Sequence, residues 1–447
     1  MALNITPYSL IFTLLFICCF CSKFVSAITN ITTTKFLTDP ETLVSENATF
    51  KIGFFSPINS TNRYVGIWYN TNESDTMEVV WVANRNNPIK NASGVLKISD
   101  DGNLQLSDGK STIFWSSNVS RQAHNTSVIA KLQDTGNLVL LSGVSSGMII
   151  WQSFDHLTNS LLPQTTISID MSIIDKDQIK EYEYTVLRSW KSASDPSNGR
   201  FRITVDVLAP FLEFVTWESD KPYSRIAEFG GPNFSMEAFP YVFHLTYNPI
   251  EDISNILYVV ENKSFLGYHL LNDDGNVFYR TWDGGSRKWN TTWQSIETTC
   301  DMYSKCGPFG CCNPKNSPIC SCLKGFKPKN IDEWNLGNWT SGCVRNISLQ
   351  CSNIGGKEDG FLGLPHVKVP DNAGYLFFLD DPDECRSMCL GNCLCLAYAY
   401  PKQTVCMMWN ESLLDMQQFS VDGVEVFIRL AHSELGNHLL FLAFLLF

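Results

Sequence analysis

The placement of cysteine constrains this chain more than any other feature of its sequence. Thirteen cysteines fall between Cys300 and Cys406. Three more, Cys18, Cys19 and Cys21, sit in an apolar N-terminal stretch, and there are none between the two groups. A long cysteine-free body is therefore followed by a cysteine-dense tail. The tail does not read as a metal centre. Cys320-Ser-Cys322 and Cys393-Leu-Cys395 leave one residue between sulfurs, where structural zinc sites leave two to four, and His366 is the one histidine among these cysteines. Disulfides are the expected use, because small modules bury too little apolar surface to hold themselves together without cross-links. No metal and no cofactor are expected.

Residues 1–27 carry the marks of a secretory signal. Leu10-Ile-Phe-Thr-Leu-Leu-Phe-Ile-Cys-Cys-Phe20 has the length of an apolar core segment, and Val25-Ser26-Ala27 is a small-residue cleavage site. No Lys or Arg precedes Leu10, which leaves a buried helix or a retained anchor as the alternative. Sequons for N-glycosylation begin at Asn30, Asn47, Asn59, Asn72, Asn91, Asn118, Asn125, Asn233, Asn262, Asn290, Asn338, Asn346 and Asn410. Any single sequon arises easily by chance. Their density, together with a signal and clustered cysteines, points to the secretory route, and each occupied asparagine must then lie on the surface. The 33 basic and 45 acidic side chains give a net charge of −12. That excludes nucleic acid as a partner, since phosphate neutralisation needs clustered Lys and Arg. The length fits three or four domains.

The cysteine-free body reads as β-structure. Val95-Leu-Lys-Ile-Ser99 alternates at period two, Asp101-Gly102 makes a hairpin turn, and Asn103-Leu-Gln-Leu106 returns. Ile129-Ala-Lys-Leu132, Thr135-Gly136 and Asn137-Leu-Val-Leu-Leu141 repeat the device. Asp274-Gly275-Asn276 and Asp283-Gly284-Gly285 mark further turns. Trp68, Trp81 and Trp115 punctuate the first of these regions, and repeated tryptophan implies symmetric packing about one axis.

Longer motifs carry a family resemblance. Leu43-Val-Ser-Glu-Asn-Ala-Thr-Phe-Lys-Ile-Gly-Phe-Phe-Ser-Pro57, Arg63-Tyr-Val-Gly-Ile-Trp-Tyr69 and Trp81-Val-Ala-Asn-Arg85 resemble the bulb-type lectin domain of plant S-locus glycoproteins and G-type lectin receptor-like kinases. The resemblance continues at Trp151-Gln-Ser-Phe-Asp-His156 and Leu162-Pro163. Ser189-Trp-Lys-Ser192, Asp195-Pro196 and Gly199-Arg-Phe201 are similar to the S-locus glycoprotein domain. It implies a mainly β chain: a β-prism of three four-stranded sheets, then a disulfide-rich EGF-like module and an α+β PAN/apple domain. The expected plan is signal peptide 1–27, lectin domain 28–155, a second β-rich S-locus domain 156–295, EGF-like module 296–345, PAN/apple domain 351–431 and apolar tail 432–447. The tail's Leu439–Phe447 run is short of the roughly 20 residues a spanning helix needs.

Mannose-binding relatives use Gln-X-Asp-X-Asn-X-Val-X-Tyr, and the best copy here is Gln133, Thr135, Asn137, Val139 and Leu141. Thr in place of Asp removes a charged acceptor, and Leu in place of Tyr removes a hydroxyl. A second copy keeps Asp101 and Asn103 but has Ser99, Gln105 and Ser107 at the other positions. Lost polar partners cut discrimination sharply, so the motif reads as a degenerate carbohydrate site or as a scaffold in which the asparagines serve the turns.

Two enzyme-like matches fail on context. Gly143-Val-Ser145-Ser-Gly147 has the spacing of a nucleophile elbow, which needs a helix after it, whereas Met148-Ile-Ile-Trp151 reads as a strand. Gly109-Lys-Ser111 lacks the earlier glycine of a phosphate loop, whose place is taken by Leu104. Adjacent carboxylates such as Asp273-Asp274 and Asp380-Asp381 point apart on an extended chain and read as solvated turns. No catalytic residue is expected.

In the tail, Cys300-Asp-Met-Tyr303, Cys306-Gly-Pro-Phe-Gly310, Cys320-Ser-Cys-Leu-Lys-Gly-Phe326 and Gly342-Cys343-Val-Arg345 resemble the family's EGF-like module. The family pattern implies Cys300–Cys312, Cys306–Cys320 and Cys322–Cys343. Cys311 departs from that pattern and makes the count odd: a free thiol, an interchain link or a competitor of Cys312. Cys351 onward resembles the PAN/apple module. Asp383–Leu390 has helical spacing, with Cys385 and Cys389 on one face, and Asn392–Tyr398 and Val405–Trp409 are expected strands. The pattern implies Cys385–Cys406, Cys389–Cys395 and Cys351–Cys393.

The resemblance implies an extracellular or secreted recognition glycoprotein, with association with the plasma membrane as an alternative. It would bind a secreted peptide or a cell-surface or cell-wall ligand, as in recognition of pollen. It would form a homodimer or a heterodimer with a related receptor kinase. A mannose-type lectin with a glycan ligand is the alternative function. The kinase domain of the related receptor kinases is not among these residues.

Overall fold

The computed structural model describes residues 30–435 apart from 72–76, 111, 120–126, 144–146, 171–183, 209–210, 229–240, 261, 263–264, 352–358, 378, 380, 402–404 and 422. The expected signal segment, the apolar tail beyond Leu435 and the sequons at Asn72, Asn125 and Asn233 lie outside the described residues. The chain divides into two compact units, Met1–His156 and Leu157–Phe447.

The first unit is built from twelve described strands: β1 (Asn30–Ile31), β2 (Leu37–Thr38), β3 (Thr42–Val44), β4 (Phe50–Phe55), β5 (Tyr64–Tyr69), β6 (Val79–Val82), β7 (Val95–Ile98), β8 (Leu104–Ser107), β9 (Ile113–Ser116), β10 (Val128–Leu132), β11 (Leu138–Ser142) and β12 (Met148–Gln152). They form three antiparallel sheets in the orders β3-β4-β5-β6, β2-β7-β8-β9 and β1-β10-β11-β12. The first two strands are thus donated to the later sheets. Alternation does the sorting. Val128, Ala130 and Leu132 are buried while Ile129 and Lys131 are half-exposed, as period-two side chains on a one-sided sheet must be. Trp81, Trp115 and Trp151, one from the fourth strand of each sheet, meet edge to face at centroid distances of 5.8, 6.1 and 5.6 Å. Such contacts suit the ring quadrupole. Trp68 packs elsewhere, against Phe55.

The second unit begins with the same plan. Its strands are β13 (Ser160–Leu161), β14 (Thr166–Asp170), β15 (Tyr184–Ser192), β16 (Asp195–Leu208), β17 (Phe211–Glu218), β18 (Lys221–Glu228), β19 (Tyr241–Asn248), β20 (Ile253–Val260), β21 (Gly267–Leu271), β22 (Val277–Asp283) and β23 (Lys288–Gln294). The sheets are β15-β16-β17-β18, β14-β20-β19 and β13-β21-β22-β23, the middle one three-stranded among the described residues. Again the first two strands complete later sheets. Leu161, Ile169, Phe201, Ile256, Tyr258 and Tyr279 come from all three sheets into one core.

The tail of the second unit is organised by one eight-stranded sheet. Its strands are β24 (Gly310–Cys312), β25 (Cys320–Cys322), β28 (Gly360–Lys368), β29 (Gly374–Phe377), β30 (Ala397–Ala399), β31 (Val405–Trp409), β32 (Met416–Gln418) and β33 (Val424–Leu430), in the order β25-β24-β32-β28-β33-β30-β31-β29. β26 (Phe326–Pro328) and β27 (Cys343–Arg345) pair separately. β24 runs parallel to β32, Cys311 opposite Met416, so the segment after Cys300 and the segment after Cys351 share one hydrogen-bonded ladder. Disulfides join Cys300 to Cys312, Cys306 to Cys320, Cys322 to Cys343, Cys351 to Cys393, Cys385 to Cys406 and Cys389 to Cys395.

Two expectations need correcting. Asp381 is exposed as expected but serves a helix start and not a turn: it caps helix α2 (Pro382–Gly391), which follows α1 (Ile331–Asn335), and accepts the Asp383 amide at 2.9 Å. Asp380 lies outside the described residues. Asn392–Tyr398 is not a strand along its length, because strand structure begins at Ala397. Asn392 Oδ1 accepts the Leu394 amide at 3.0 Å, and the Cys389–Cys395 bridge spans a separation of 6, so the chain must turn there. Cys385 and Cys389 do share the buried face of α2.

Candidate ligand-binding site

The candidate sugar residues lie at the β10–β11 turn. Its form follows from the residues: the Gln133 amide donates to Asn137 O and the Gly136 amide to Gln133 O. Gly136 stands at φ 86°, where a side chain would be strained. The same two bonds recur at Ser99–Asn103, with Gly102 at φ 83°, and at Asn272–Asn276, with Gly275 at φ 87°.

Each turn ends in an asparagine that clasps the next-but-one strand. Asn137 Oδ1 accepts Ser153 Oγ at 3.2 Å and the Phe154 amide at 3.3 Å, while Ser153 Oγ accepts the Leu138 amide at 2.9 Å. Asn103 makes the same set with Ser117, Val119 and Leu104. Asn276 makes it with Ser295, Ile296 and Val277. Both lone pairs of the amide carbonyl are thereby used. Asn137 Nδ2 also donates to Gln152 Oε1 at 2.9 Å. Asn137 is buried, and Val139 is 0% exposed. The side chain that would lie on a sugar ring is therefore inside the core. Gln133 and Thr135 remain half-exposed beside them. That the asparagines serve the turns was one reading of the sequence; the bond from each to a serine at the end of the next-but-one strand was not read. The signal was there: Trp115-Ser-Ser117, Trp151-Gln-Ser153 and Trp293-Gln-Ser295 each follow one of the Gly-Asn turns.

The second unit holds a different polar cluster. Arg225 of β18 donates from Nε to Asp415 at 2.9 Å, from Nη1 to Glu213 at 2.6 Å and from Nη2 to Val369 O at 2.6 Å. Lys368 Nζ lies 2.8 Å from Asp415 Oδ2, and the Ser304 amide donates to Asp415 Oδ1 at 2.8 Å. Tyr303 donates to Asp371. Burial works against ionising Asp415, but Lys368 and Arg225 outweigh it and hold its carboxyl below the usual range. Burial lowers the Lys368 pKa, and Asp415 opposes the shift. These charges tie the β17–β18 hairpin, the start of the cysteine-rich segment and the eight-stranded sheet together. The arrangement is structural: its donors and acceptors face one another.

Cys311 is a free, buried thiol. It lines a cavity of about 180 Å³ with Leu323, Leu362, Leu364 and Ile428, and burial pushes its pKa up to about 12. The Sγ atoms of Cys306, Cys312 and Cys320 lie within 4.8 Å of one another, but all three are in disulfides and offer no thiolate to a metal. β12 follows Gly147, a strand where a nucleophile elbow needs a helix; Ser145 lies outside the described residues. Asn47, Asn59, Asn91, Asn118, Asn262, Asn290, Asn338, Asn346 and Asn410 are exposed, and Asn30 is half-buried in β1. Among the described residues no helix is long and apolar enough to cross a membrane.

Comparison with known proteins agrees with this architecture. The family models for a D-mannose binding lectin, an S-locus glycoprotein domain and a PAN-like domain match residues 78–191, 222–330 and 351–416. The chain is 39% identical over 437 residues to the G-type lectin S-receptor-like serine/threonine-protein kinase SD1-13 of Arabidopsis thaliana, covering 95% of this chain and 51% of that protein. The G-type lectin S-receptor-like serine/threonine-protein kinase At1g11330 of the same organism is 42% identical over 416 residues, covering 90% of this chain and 48% of its own length. The chain spans about half the length of the curated relatives it matches.

Proposed function

From a chain that belongs to the S-locus glycoprotein and G-type lectin S-receptor-like kinase family, we propose an extracellular recognition glycoprotein that binds a peptide or cell-surface ligand and associates with itself or with a related receptor kinase. The observation that carries this reading is the commitment of Asn137 and Val139 to the fold. The lectin framework is kept, while two residues of its sugar motif hold strands together and fill the core. The buried Arg225–Asp415–Lys368 cluster supports it further. It ties the β17–β18 hairpin to the eight-stranded sheet, and a surface organised in advance suits recognition by complementarity. Recognition of pollen is one setting for such a receptor. Neither lectin, S-locus glycoprotein nor PAN-like domain supplies an enzymatic centre, so catalysis by the described residues forms no part of the proposal.

The test is sedimentation of the secreted chain across a concentration series, alone and mixed with the ectodomain of a related receptor kinase, beside a glycan array. The proposal expects self-association or hetero-association with Kd on the order of micromolar, as for a modest protein interface, and no specific mannose signal. A monomer at every concentration that ignores the receptor and gives strong, competable mannose binding would overturn it in favour of a lectin.

A further inference from the structure

The degenerate sugar face has a neighbour of its own in the first unit. Asn47 stands in the turn between β3 and β4 and begins the sequon Asn47-Ala48-Thr49. Its backbone amide donates to Asp134 Oδ1 at 2.8 Å, and its side-chain Nδ2 donates to Asp134 Oδ2 at 3.0 Å. Asp134 lies between Gln133 and Thr135, the two half-exposed members of the sugar motif. Lys131 on β10 pairs with Glu46 at 3.1 Å, a second tie from the Asn47 turn to the β10–β11 hairpin. Asn47 is exposed, as attachment of a glycan requires.

The atom that would carry the glycan is thus within hydrogen-bond distance of the motif's central turn. We propose that an N-glycan on Asn47 folds over Gln133, Asp134 and Thr135 and covers this face, so that the chain's own sugar takes the place a free ligand would have. The proposal rests on the secretory reading. Its ligand is an oligomannose chain attached through N-acetylglucosamine. A short tether gives an effective concentration on the order of millimolar, so the attached chain competes with any free sugar present below that concentration. Gln133, the Thr135 hydroxyl and the Asp134 carboxylate supply donors and acceptors for sugar hydroxyls even though Asn137 and Val139 are withdrawn.

The test uses the full chain secreted from a host that leaves oligomannose on every occupied site. Site-resolved glycopeptide mass spectrometry follows release by endoglycosidase H under native conditions. The expected result is an occupied Asn47 whose glycan is released about tenfold more slowly than that on Asn290, an exposed site on β23, reflecting local protection. In Gln133→Ala/Thr135→Ala that difference should fall away, while Thr49→Ala should remove the glycan and leave the Asn47–Asp134 bonds in place, exposing the face to free methyl mannoside in ligand-observed NMR. An unmodified Asn47 beside glycosylated Asn290 and Asn410 would overturn the proposal, as would equal release at all sites or loss of protection in no variant. Absence of glycan at every sequon would overturn the secretory reading and this proposal with it.

Discussion

The three-sheet regions at residues 30–156 and 157–296 lay out their strands in the same order and fill their centres differently. In the first, Trp81, Trp115 and Trp151 meet on one axis. In the second, Trp293 occupies the register of Trp151, opposite Tyr279 as Trp151 is opposite Leu140. It meets buried His269, whose ring lies 4.8 Å from Tyr279 and 6.4 Å from Trp293. Burial drives the His269 pKa down to about 3, so it packs there as a neutral ring. What the two regions share is the clasp: a Gly-Asn turn and a Trp-Gln-Ser strand end. The plan is held by a few polar groups with fixed partners, and the core tolerates replacement around them.

The two regions also differ in how they are braced. The first holds an ion pair of Arg63 with buried Asp39 beside its aromatic packing, while the second is tied through Arg225 to the larger buried cluster of Asp415 and Lys368 in the tail. Asp415→Ala should therefore have the largest effect, about 3–5 kcal/mol, because it leaves Arg225 and Lys368 buried without their shared anion. Thermal unfolding of the second unit would measure it, and a loss under about 1 kcal/mol would remove charge from the account. Trp81→Ala should cost the first unit about 3–4 kcal/mol through the cavity at the centre of the triad, read by the same method; a smaller cost than that of a surface substitution would break the comparison from the other side.

Acid should separate the braces. The Asp415 pKa is held below its unfolded value, so the unfolded chain binds more protons in that window. The stabilisation is present above the ordinary carboxylate pKa, about 4, and is lost as pH falls through the depressed native value. A pH series of unfolding midpoints should show this loss in wild type and not in Asp415→Asn.

The smallest effect concerns Cys311. With its thiol buried and its pKa pushed up to about 12, it should resist alkylation in the folded chain at neutral pH and react only on unfolding. Cys311→Ala should change stability by about 1 kcal/mol. Rapid labelling of the native protein, or a dimer that reducing agent dissolves, would revive the interchain link.

Much of this was legible in residue order. Period-two alternation at Val95–Ser99, turn residues at Asp101-Gly102 and Thr135-Gly136, and helical spacing of Cys385 and Cys389 each report a local backbone preference, and local preferences survive in sequence. The short disulfide turn at Asn392–Cys395 was not, because a cross-link can override strand-like composition. Nor was the Arg225–Asp415 cluster, whose members stand 190 residues apart and announce nothing locally. The candidate site was half legible. Gln133, Thr135, Asn137 and Val139 could be named, but which of their atoms were already engaged depends on Ser153, reached only through the β-sheet register.

The most direct measurement is a pair of double-mutant cycles, Asn137→Ala with Ser153→Ala and Asn276→Ala with Ser295→Ala, read by chemical denaturation. If the asparagine of the sugar motif is a clasp, both cycles should give similar coupling, about 1–2 kcal/mol. Coupling at Asn276–Ser295 with none at Asn137–Ser153 would contradict the account, since Asn137 would then be free to serve a ligand.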